Sequence, residues 1–200
     1  MTVFTDKQIE AYRKLAESKE HETRYRHSLN VADAAVKLAK IYGEDPVKAY
    51  VCGLLHDIEK NVSEEEQLKY MNLGGKLPRE VLENKKLWHA PAGAAFVKEE
   101  LGIVDEGMIN AIKYHTTGRE NMTMLEKIIY TADFISAERD YEGVEEIREQ
   151  AWRNIDEAIY SSAVFTLQKI ISLGQRINYD TMAMYNEMID RLKNNKEERS

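Results

Sequence analysis

Residues 46–60 read PVKAYVCGLLHDIEK, an apolar segment that runs into a histidine, an aspartate and a lysine. Asp45 precedes the proline, which is typical of a helix N-cap followed by the first helical position. His56 follows Cys52 by four residues, so the two side chains share one face of the predicted helix. Because that face is apolar, the segment predicts a buried helix that ends in ionisable side chains, Asp57 among them.

Signals for helix starts and ends recur along the rest of the chain. Thr5, Ser63 and Thr123 each precede a Glu or Gln by three positions, which is the spacing of a capping box. Gly43 and Gly174 follow helical patterns, and glycine readily adopts the left-handed conformation that ends helices. We find no alternating strand pattern and no repeat, so the sequence predicts an all-α fold. The predicted helices are 5–18, 22–42, 46–58, 63–72, 78–86, 91–101, 105–115, 123–137, 143–152, 154–173 and 181–195.

Composition limits the domain count and the classes of partner. The chain has 200 residues, 43% of them hydrophobic, which suffices for one core and predicts a single domain over 1–200 with a frayed tail at 193–200. A net charge of -7 gives no general attraction to nucleic acid or to anionic membranes, so we expect neither as a partner. Cys52 is the only cysteine, and we find no signal peptide and no membrane-spanning apolar run. These features predict a cytoplasmic protein.

Histidines and aspartates recur on the apolar faces of other predicted helices. His27 precedes Val31 by four residues, Asp133 follows Ile129 by four, and His115 also lies on the apolar face of its helix. A single buried histidine is most often a hydrogen-bonded core residue. A buried carboxylate costs roughly several kcal/mol unless it is paired or coordinated. A bound metal ion would satisfy the imidazole and carboxylate groups together.

Spacing alone leaves three other residues open to two interpretations. His89 precedes a predicted helix start at Pro91, where a structural role without a metal is the simpler explanation. Lys60 follows Asp57 by three residues, so it either reaches an anion beside the metal or is a solvated lysine at a helix end. Thr117 lies in HTTGR, where ordinary turn chemistry accounts for it equally well as contact with a substrate.

A lone His-Asp pair is a weak signal, whereas an ordered set of six ligand-type residues is far more specific. The set resembles the pattern of the HD-domain metal-dependent phosphohydrolases that hold binuclear centres. The segments RYRHSLNVA, GLLHDIEK, HAPAGA, IKYHTTGR and IIYTADFISAERDYEGVEEIR are similar to the YqeK-like branch, the bacterial symmetrical diadenosine tetraphosphate hydrolases. The resemblance covers residues 19–181 and departs from the expected pattern at the acidic Glu59. The six residues are His27, His56, Asp57, His89, His115 and Asp133.

The resemblance implies a single HD-domain helical bundle that hydrolyses diadenosine tetraphosphate to two ADP with one or two divalent metal ions. It implies a second metal at His89 and His115, with Asp57 bridging to the first. Iron is the implied metal, although nitrogen and oxygen ligands by themselves also allow manganese, cobalt or zinc. The implied ligands of the first metal are His27, His56, Asp57 and Asp133.

Three cationic side chains are candidates for binding phosphate beside the metals. Arg24 precedes His27 by three residues and shares its face, and Arg139 follows Asp133 by six. Together with Lys60 they would stabilise the charge that develops on a departing phosphate, and Asp57, Lys60 and Arg139 are the predicted catalytic residues.

The loop 175–181 contacts the nucleotide according to the resemblance. By pattern alone it is only a connection, in which Asp180 or Thr181 caps the next helix. The predicted substrate contacts are Arg24, His27, Lys60, His89, His115, Thr117, Arg139, Gln175, Arg176 and Tyr179.

Other functions remain as alternatives to the dinucleotide hydrolase. A nucleoside monophosphate phosphatase of the same superfamily would need the same metals but a shorter substrate. A regulatory module would bind nucleotide without turnover, but degenerate sensors usually lose ligands and this chain keeps all six. A scaffold would leave the buried ionisable groups unexplained. In each nucleotide-dependent case the partner is a small molecule. The sequence does not determine the oligomeric state, and a homodimer is compatible with it.

Overall fold

A computed structural model describes residues 4–197, including the side chains of residues 4–194. Within that range the chain forms eleven α-helices, one short 3-10 helix at Lys85–Leu87 and no strand, so the predicted all-α fold is confirmed. The helices are α1 (Asp6–Lys19), α2 (Glu22–Tyr42), α3 (Pro46–Leu55), α4 (Glu64–Leu73), α5 (Arg79–Glu83), α6 (His89–Glu99), α7 (Glu106–Lys113), α8 (Met124–Ile135), α9 (Val144–Arg153), α10 (Ile155–Ser172) and α11 (Tyr179–Glu197).

Local sequence signals start and end these helices largely as predicted. Thr5 and Thr123 each form a complete capping box with the residue three positions later. The Ser63 hydroxyl accepts a hydrogen bond from the third residue of α4, and the Asp45 carboxylate accepts two from the first turn of α3. Gly43 ends α2 with a φ of 72°, a conformation that glycine adopts without strain.

Two boundaries beside the histidines differ from the prediction, and both change the local backbone. α3 ends at Leu55 instead of 58, and residues 56–60 form turns in which the Lys60 N–H donates to the Asp57 carbonyl at 2.8 Å. α6 begins at His89 instead of Pro91, which occupies the third helical position, where no intrahelical donor is needed. His56 and His89 therefore lie at helix ends, where their rings can turn toward neighbouring helices.

Further boundaries also correct the prediction. The predicted helix 78–86 is divided between α5 and the 3-10 helix, with Asn84 between them. α11 begins at Tyr179 because the Asn178 side chain accepts the N–H of Asp180 at 2.8 Å, so neither predicted cap serves there. α11 also continues to Glu197, because its last turns are built mainly from good helix formers. The predicted frayed tail at 193–200 is thus helical over its described part, and residues 198–200 lie outside the described range.

The core forms where α2 packs against α3 and α8, and where α7 packs against α6 and α8. Gly53 permits a close approach of α3 to α2, because a Cβ atom placed there would lie 2.7 Å from the Cα atom of Ala32. Leu38, Leu54 and Ile129 are among the fully buried side chains of this core. This packing brings together the histidines and aspartates that five helices carry within them or at their ends.

Glu59, which departs from the expected pattern, has a structural explanation. Its side chain is fully buried and lies 2.8 Å from the ammonium of Lys19, which also lies 2.8 Å from Glu66. Since one lysine faces two carboxylates, the buried charge of Glu59 is partly compensated.

Along the described residues, no helix has both the length and the apolar character needed to cross a membrane.

Candidate active site and metal centre

The six predicted ligand residues lie together at the convergence of α2, α3, α6, α7 and α8. Their ligand atoms form overlapping groups of three in which all atoms lie within 4.8 Å of one another. His27 lies within α2 and Asp133 within α8, whereas the others lie at or just beyond helix ends. The groups are His27–His56–Asp57, His56–His115–Asp133 and Asp57–His89–His115.

Asp57 occupies the centre of the cluster and faces histidines with both oxygens. Its Oδ1 atom lies 3.1 Å from His89 Nε2 and 3.4 Å from His115 Nε2. Its Oδ2 atom lies 3.5 Å from His56 Nε2 and 4.0 Å from His27 Nε2. Both oxygens of Asp57 therefore face imidazole nitrogens of the cluster.

Backbone carbonyls orient two of the imidazole rings. His56 Nδ1 donates to the Gly53 carbonyl at 2.6 Å, and His115 Nδ1 donates to the Ile112 carbonyl at 2.7 Å. Each bond assigns the proton to Nδ1 and leaves Nε2 with a free lone pair that points into the cluster. Histidine ligands are commonly positioned in this way by their second nitrogen.

Several buried atoms of the cluster lack a hydrogen bond. They are the Nε2 atoms of His27 and His56 and the Oδ1 atom of Asp57, and the three residues are at most 5% exposed. Such unsatisfied groups are costly in a protein interior unless a ligand compensates them. A divalent cation accepts lone pairs from all three, and imidazole and carboxylate are donors that such ions prefer. The cluster is therefore a binding site for a divalent metal.

The charge states of His56, His89 and Asp57 already favour metal binding. Burial lowers the pKa of His56 to about 3 and that of His89 to about 4, which keeps both rings neutral. Burial opposes ionisation of Asp57, but the surrounding histidines hold its pKa well below the usual value. Neutral imidazole and ionised carboxylate are the forms that coordinate metals.

Glu138 belongs to the site, although no sequence pattern indicated it. Its Oε1 atom contacts His27 Nδ1 and accepts the Ser136 hydroxyl at 2.7 Å, while Oε2 accepts the Asn30 amide at 2.7 Å. Although burial favours the neutral ring, contacts with Asp133 and Glu138 raise the pKa of His27 to about 9. Glu138 thus orients His27 from behind, as carboxylates do for many metal-bound histidines. Helical periodicity could not reveal it, because it follows the end of α8.

The two predicted phosphate-binding arginines contact carboxylates of the cluster. Arg24 Nη1 lies 2.8 Å from Asp57 Oδ2. Arg139 donates through Nε to the Asp133 carbonyl at 2.9 Å and through Nη2 to the Asp133 carboxylate. Both guanidinium groups therefore lie at the edge of the centre, and each retains N–H donors for a phosphate.

Lys60 contacts His89 in the cluster. Its ammonium is 3.1 Å from both ring nitrogens of His89, and burial lowers its pKa. The interpretation of Lys60 as a solvated lysine at a helix end is wrong, since it is neither in a helix nor fully solvated.

The predicted substrate contacts in the HTTGR segment and in the loop 175–181 do not all lie at the cluster. Thr117 is buried beside His115, its hydroxyl donates to the Gly118 carbonyl, and its own carbonyl accepts the Thr181 hydroxyl at 2.9 Å. The structure therefore shows a turn-stabilising role for this side chain, and contact with substrate stays a prediction.

In the loop 175–181 only Gln175 shares a cavity with Asp133. Arg176 lies 3.1 Å from Glu83, and Tyr179 is 63% exposed on another surface. These observations do not bring Arg176 or Tyr179 to the cluster, and their contact with substrate stays a prediction.

Comparison with known families supports this centre. A family profile described as HD domain matches residues 24–138, more than half of the chain. The chain belongs to the HD-domain family. The matched range includes all six clustered residues and the cationic side chains Arg24 and Lys60. Arg139 directly follows the matched range.

Three relatives that align with most of this chain carry the same name. A protein of Halalkalibacterium halodurans is 41% identical over 84% of this chain and 90% of its own length, and is named symmetrical bis(5'-nucleosyl)-tetraphosphatase. Proteins of Bacillus subtilis and Staphylococcus aureus with the same name are each 38% identical, over 84% and 92% of this chain and 90% and 98% of their own lengths.

A solved HD-domain structure matches nearly the whole fold. It is from Clostridium acetobutylicum and is described as a predicted HD superfamily hydrolase involved in NAD metabolism. The TM-score is 0.88 at 38% identity, and the match covers 95% of this chain and 100% of that chain.

Proposed function

We propose that this HD-domain protein is a metal-dependent enzyme that hydrolyses diadenosine tetraphosphate symmetrically to two ADP. The observation that carries the proposal is the named activity of three relatives that align with most of the chain. The clustered histidines and aspartates, with cationic side chains at their edge, supply the groups that the reaction needs.

The proposed ligand sets follow the geometry of Asp57. We propose that Asp57 would contribute to two cation sites, one that includes His27 and one that includes His89 and His115. His56 and Asp133 complete the first set, and Glu138 holds His27 in place. When bound, divalent cations supply Lewis-acid stabilisation of phosphoryl oxygens and activation of water near neutral pH.

The chain's own contribution is to hold and neutralise the phosphates. Arg24 and Arg139 offer planar guanidinium groups on the side of the two aspartates, and Lys60 offers an ammonium beside His89. Phosphoryl transfer depends mainly on such positioning and charge stabilisation. With two phosphates of one half-molecule held there, the bond between the central phosphates lies at the cluster, which yields two equal products.

We propose iron as the metal and the cytoplasm as the location. The ligand set of imidazole and carboxylate supports iron but also suits manganese, cobalt and zinc. A single buried cysteine with no possible internal disulfide is compatible with a reducing compartment. Metal analysis of anaerobically purified protein identifies the ion, and an ion other than iron in an active preparation would contradict that part of the proposal.

Product analysis tests the function directly. Chromatography of a reaction on diadenosine tetraphosphate should show ADP alone, in a ratio of two per substrate consumed. AMP with ATP would show an asymmetrical cut. Release of phosphate from AMP, with no action on the tetraphosphate, would support the alternative of a nucleoside monophosphate phosphatase, and no turnover of either would support the regulatory module.

Lys60→Ala is expected to lower kcat/KM about ten- to hundredfold while the metal content stays unchanged. The substitution removes a charge-assisted contact, roughly 1.5–3 kcal/mol, from the leaving phosphate. Lys98→Ala, at an exposed lysine of α6, is the matched control and should have normal kinetics. Arg139→Ala should lower activity as well, but because Arg139 also holds Asp133, some loss of metal is expected there. Normal kinetics in Lys60→Ala would place the phosphate site elsewhere.

A further inference from the structure

A row of apolar side chains along α10 stays partly open to solvent. Tyr160, Val164, Leu167 and Ile171 follow one another at steps of four, three and four residues, so they share one face of the helix. The first three are half-buried, and Ile171 is 64% exposed. Residues 158–168 contain no charged side chain. Since a surface helix usually presents charged residues to water and apolar ones to a core, this face is typical of a helix with a further neighbour.

The apolar row of α10 lies away from the metal centre. A different set of α10 residues lines the cavity that includes Asp133, and with about 100° between successive residues the two sets lie on opposite sides of the helix. A partner on the apolar row would therefore leave the metal centre open. The α10 residues of the cavity are Phe165, Thr166, Lys169, Ile170 and Leu173.

α11 carries a second apolar row in addition to its buried face. Its buried face includes Met184 and Met188, which are fully buried. The additional row recurs at steps of three, four and three residues, and residues 181–186 beside it contain no charged side chain. Met182 is 42% exposed, and the other members are half-buried. The members of this row are Met182, Tyr185, Ile189 and Leu192.

The two rows form one continuous surface on an antiparallel helical hairpin. α10 and α11 pack against each other and are joined by a short connection. The rows meet where Tyr160 stacks on Tyr185, with ring centroids 5.7 Å apart and an angle of 18° between the rings. We call the eight residues the outer stripe. Two antiparallel helices with apolar residues at alternating steps of three and four are half of a four-helix bundle.

The charges around the outer stripe fit a second copy of the chain. At one end of the hairpin Arg153 and Glu157 lie 3.5 Å apart, and α11 exposes Asp190 and Lys193 near its own end. The rim therefore carries both signs around an uncharged centre, as a self-complementary interface does. A total charge of -7 gives the chain no attraction to an anionic membrane.

We propose that the outer stripe binds a second copy of this chain, so that two α10–α11 hairpins form one four-helix bundle. Two copies related by a two-fold axis supply the four helices that enclose such a core, and the uncharged centre of each stripe is buried against the other. Each subunit keeps its own metal centre, because the interface lies on the other side of α10. The inference does not depend on which bond the enzyme cuts.

The test measures the mass of the metal-loaded full chain by analytical ultracentrifugation. Wild-type protein is expected to sediment with the mass of two chains at about 10 μM, a concentration at which an interface of ordinary size and affinity is occupied. Ile171→Glu is expected to raise the dissociation constant of the dimer about a hundredfold or more, because the symmetry buries an unpaired charge in both halves of the interface.

Two further variants make the mass measurement specific to the hairpin. Met182→Glu tests the α11 side of the outer stripe independently and should weaken the dimer in the same way. Because Ile171 and Met182 are exposed in the single chain, both variants should keep the helical circular dichroism of the wild type. Val104→Glu is the matched control and should sediment as the wild type, because Val104 is 76% exposed in the turn between α6 and α7.

Three results would contradict the inference. Wild-type protein that stays monomeric at about 100 μM would have no such interface, and if that monomer also sediments with phosphatidylcholine vesicles, the outer stripe binds lipid instead. An unchanged dissociation constant in either hairpin variant would place the contact between copies on another face. Dissociation of the Val104→Glu dimer would show that the effect of an added charge is not specific to the outer stripe.

Discussion

Asp57→Ala is expected to reduce hydrolysis about a thousandfold or more and to remove the rise in Tm that divalent metal gives the wild-type protein. Asp57 faces four histidines with its two oxygens, so its loss removes the shared ligand of both proposed metal positions. A thousandfold loss corresponds to about 4 kcal/mol of transition-state stabilisation, which is within the several kcal/mol that metal ions supply. Steady-state kinetics measures the loss of hydrolysis, thermal unfolding measures the change in Tm, and metal stoichiometry measures the loss of bound metal.

Asp33→Ala is the matched control for this substitution, since Asp33 is an exposed aspartate of α2 outside the cluster. It should retain activity, metal content and Tm. Wild-type protein treated with a strong chelator should behave like Asp57→Ala, and ferrous or manganese ions should restore both stability and hydrolysis. Full activity in demonstrably metal-free protein would refute the site.

Gly53→Ala is expected to destabilise the fold by about 3 kcal/mol and to weaken metal binding. The added Cβ would lie 2.7 Å from Ala32 Cα and 2.9 Å from Ala32 N, and these backbone atoms cannot move without shifting α2 against α3. Overpacking of this kind costs about 1–3 kcal/mol and more where backbone is involved, which exceeds the gain of at most about 1 kcal/mol in helix propensity. Because α2 carries His27 and α3 ends directly before His56, the same shift separates two predicted ligand residues.

Gly93→Ala provides a comparison within another buried helix. A Cβ atom there meets its nearest neighbours at 3.5 Å, an ordinary contact, so stability should change by less than about 1 kcal/mol. Denaturant unfolding of both variants, with metal affinity measured alongside, distinguishes a local clash from a general intolerance of alanine. Equal stability of the two variants would show that α2 and α3 can separate without cost.

The sequence predicted the parts of the molecule that depend on local pattern. Capping residues and helical periodicity located the helices, and polar residues on apolar faces identified side chains that now lie within one cluster, although their roles as ligands remain predictions. The break after Leu55 was missed because residues 56–60 contain ordinary helix formers and no glycine or proline. Asp57 and Lys60 consequently act from turns and not from a helical face.

Features that arise from tertiary packing were beyond the sequence pattern. Glu138 reaches His27 across the gap between two helices, and no periodicity relates residues 111 positions apart. Phe134, Tyr141 and Phe165 form one aromatic cluster only because α10 packs against α8. The resemblance could supply the ligand pattern, but these contacts arise only in the assembled fold.

Three carboxylates and three cationic side chains face one another around the centre. They are Asp57, Asp133 and Glu138, with Arg24, Lys60 and Arg139. Their formal charges cancel, so the protein by itself offers a polyphosphate little net attraction, in a chain whose total charge is -7. Each divalent cation adds two positive charges and competes with the arginines for the carboxylates, which releases guanidinium donors for the incoming anion. We therefore expect the ion to bind before the nucleotide, so that a shortage of the ion would prevent binding of the substrate as well as its hydrolysis.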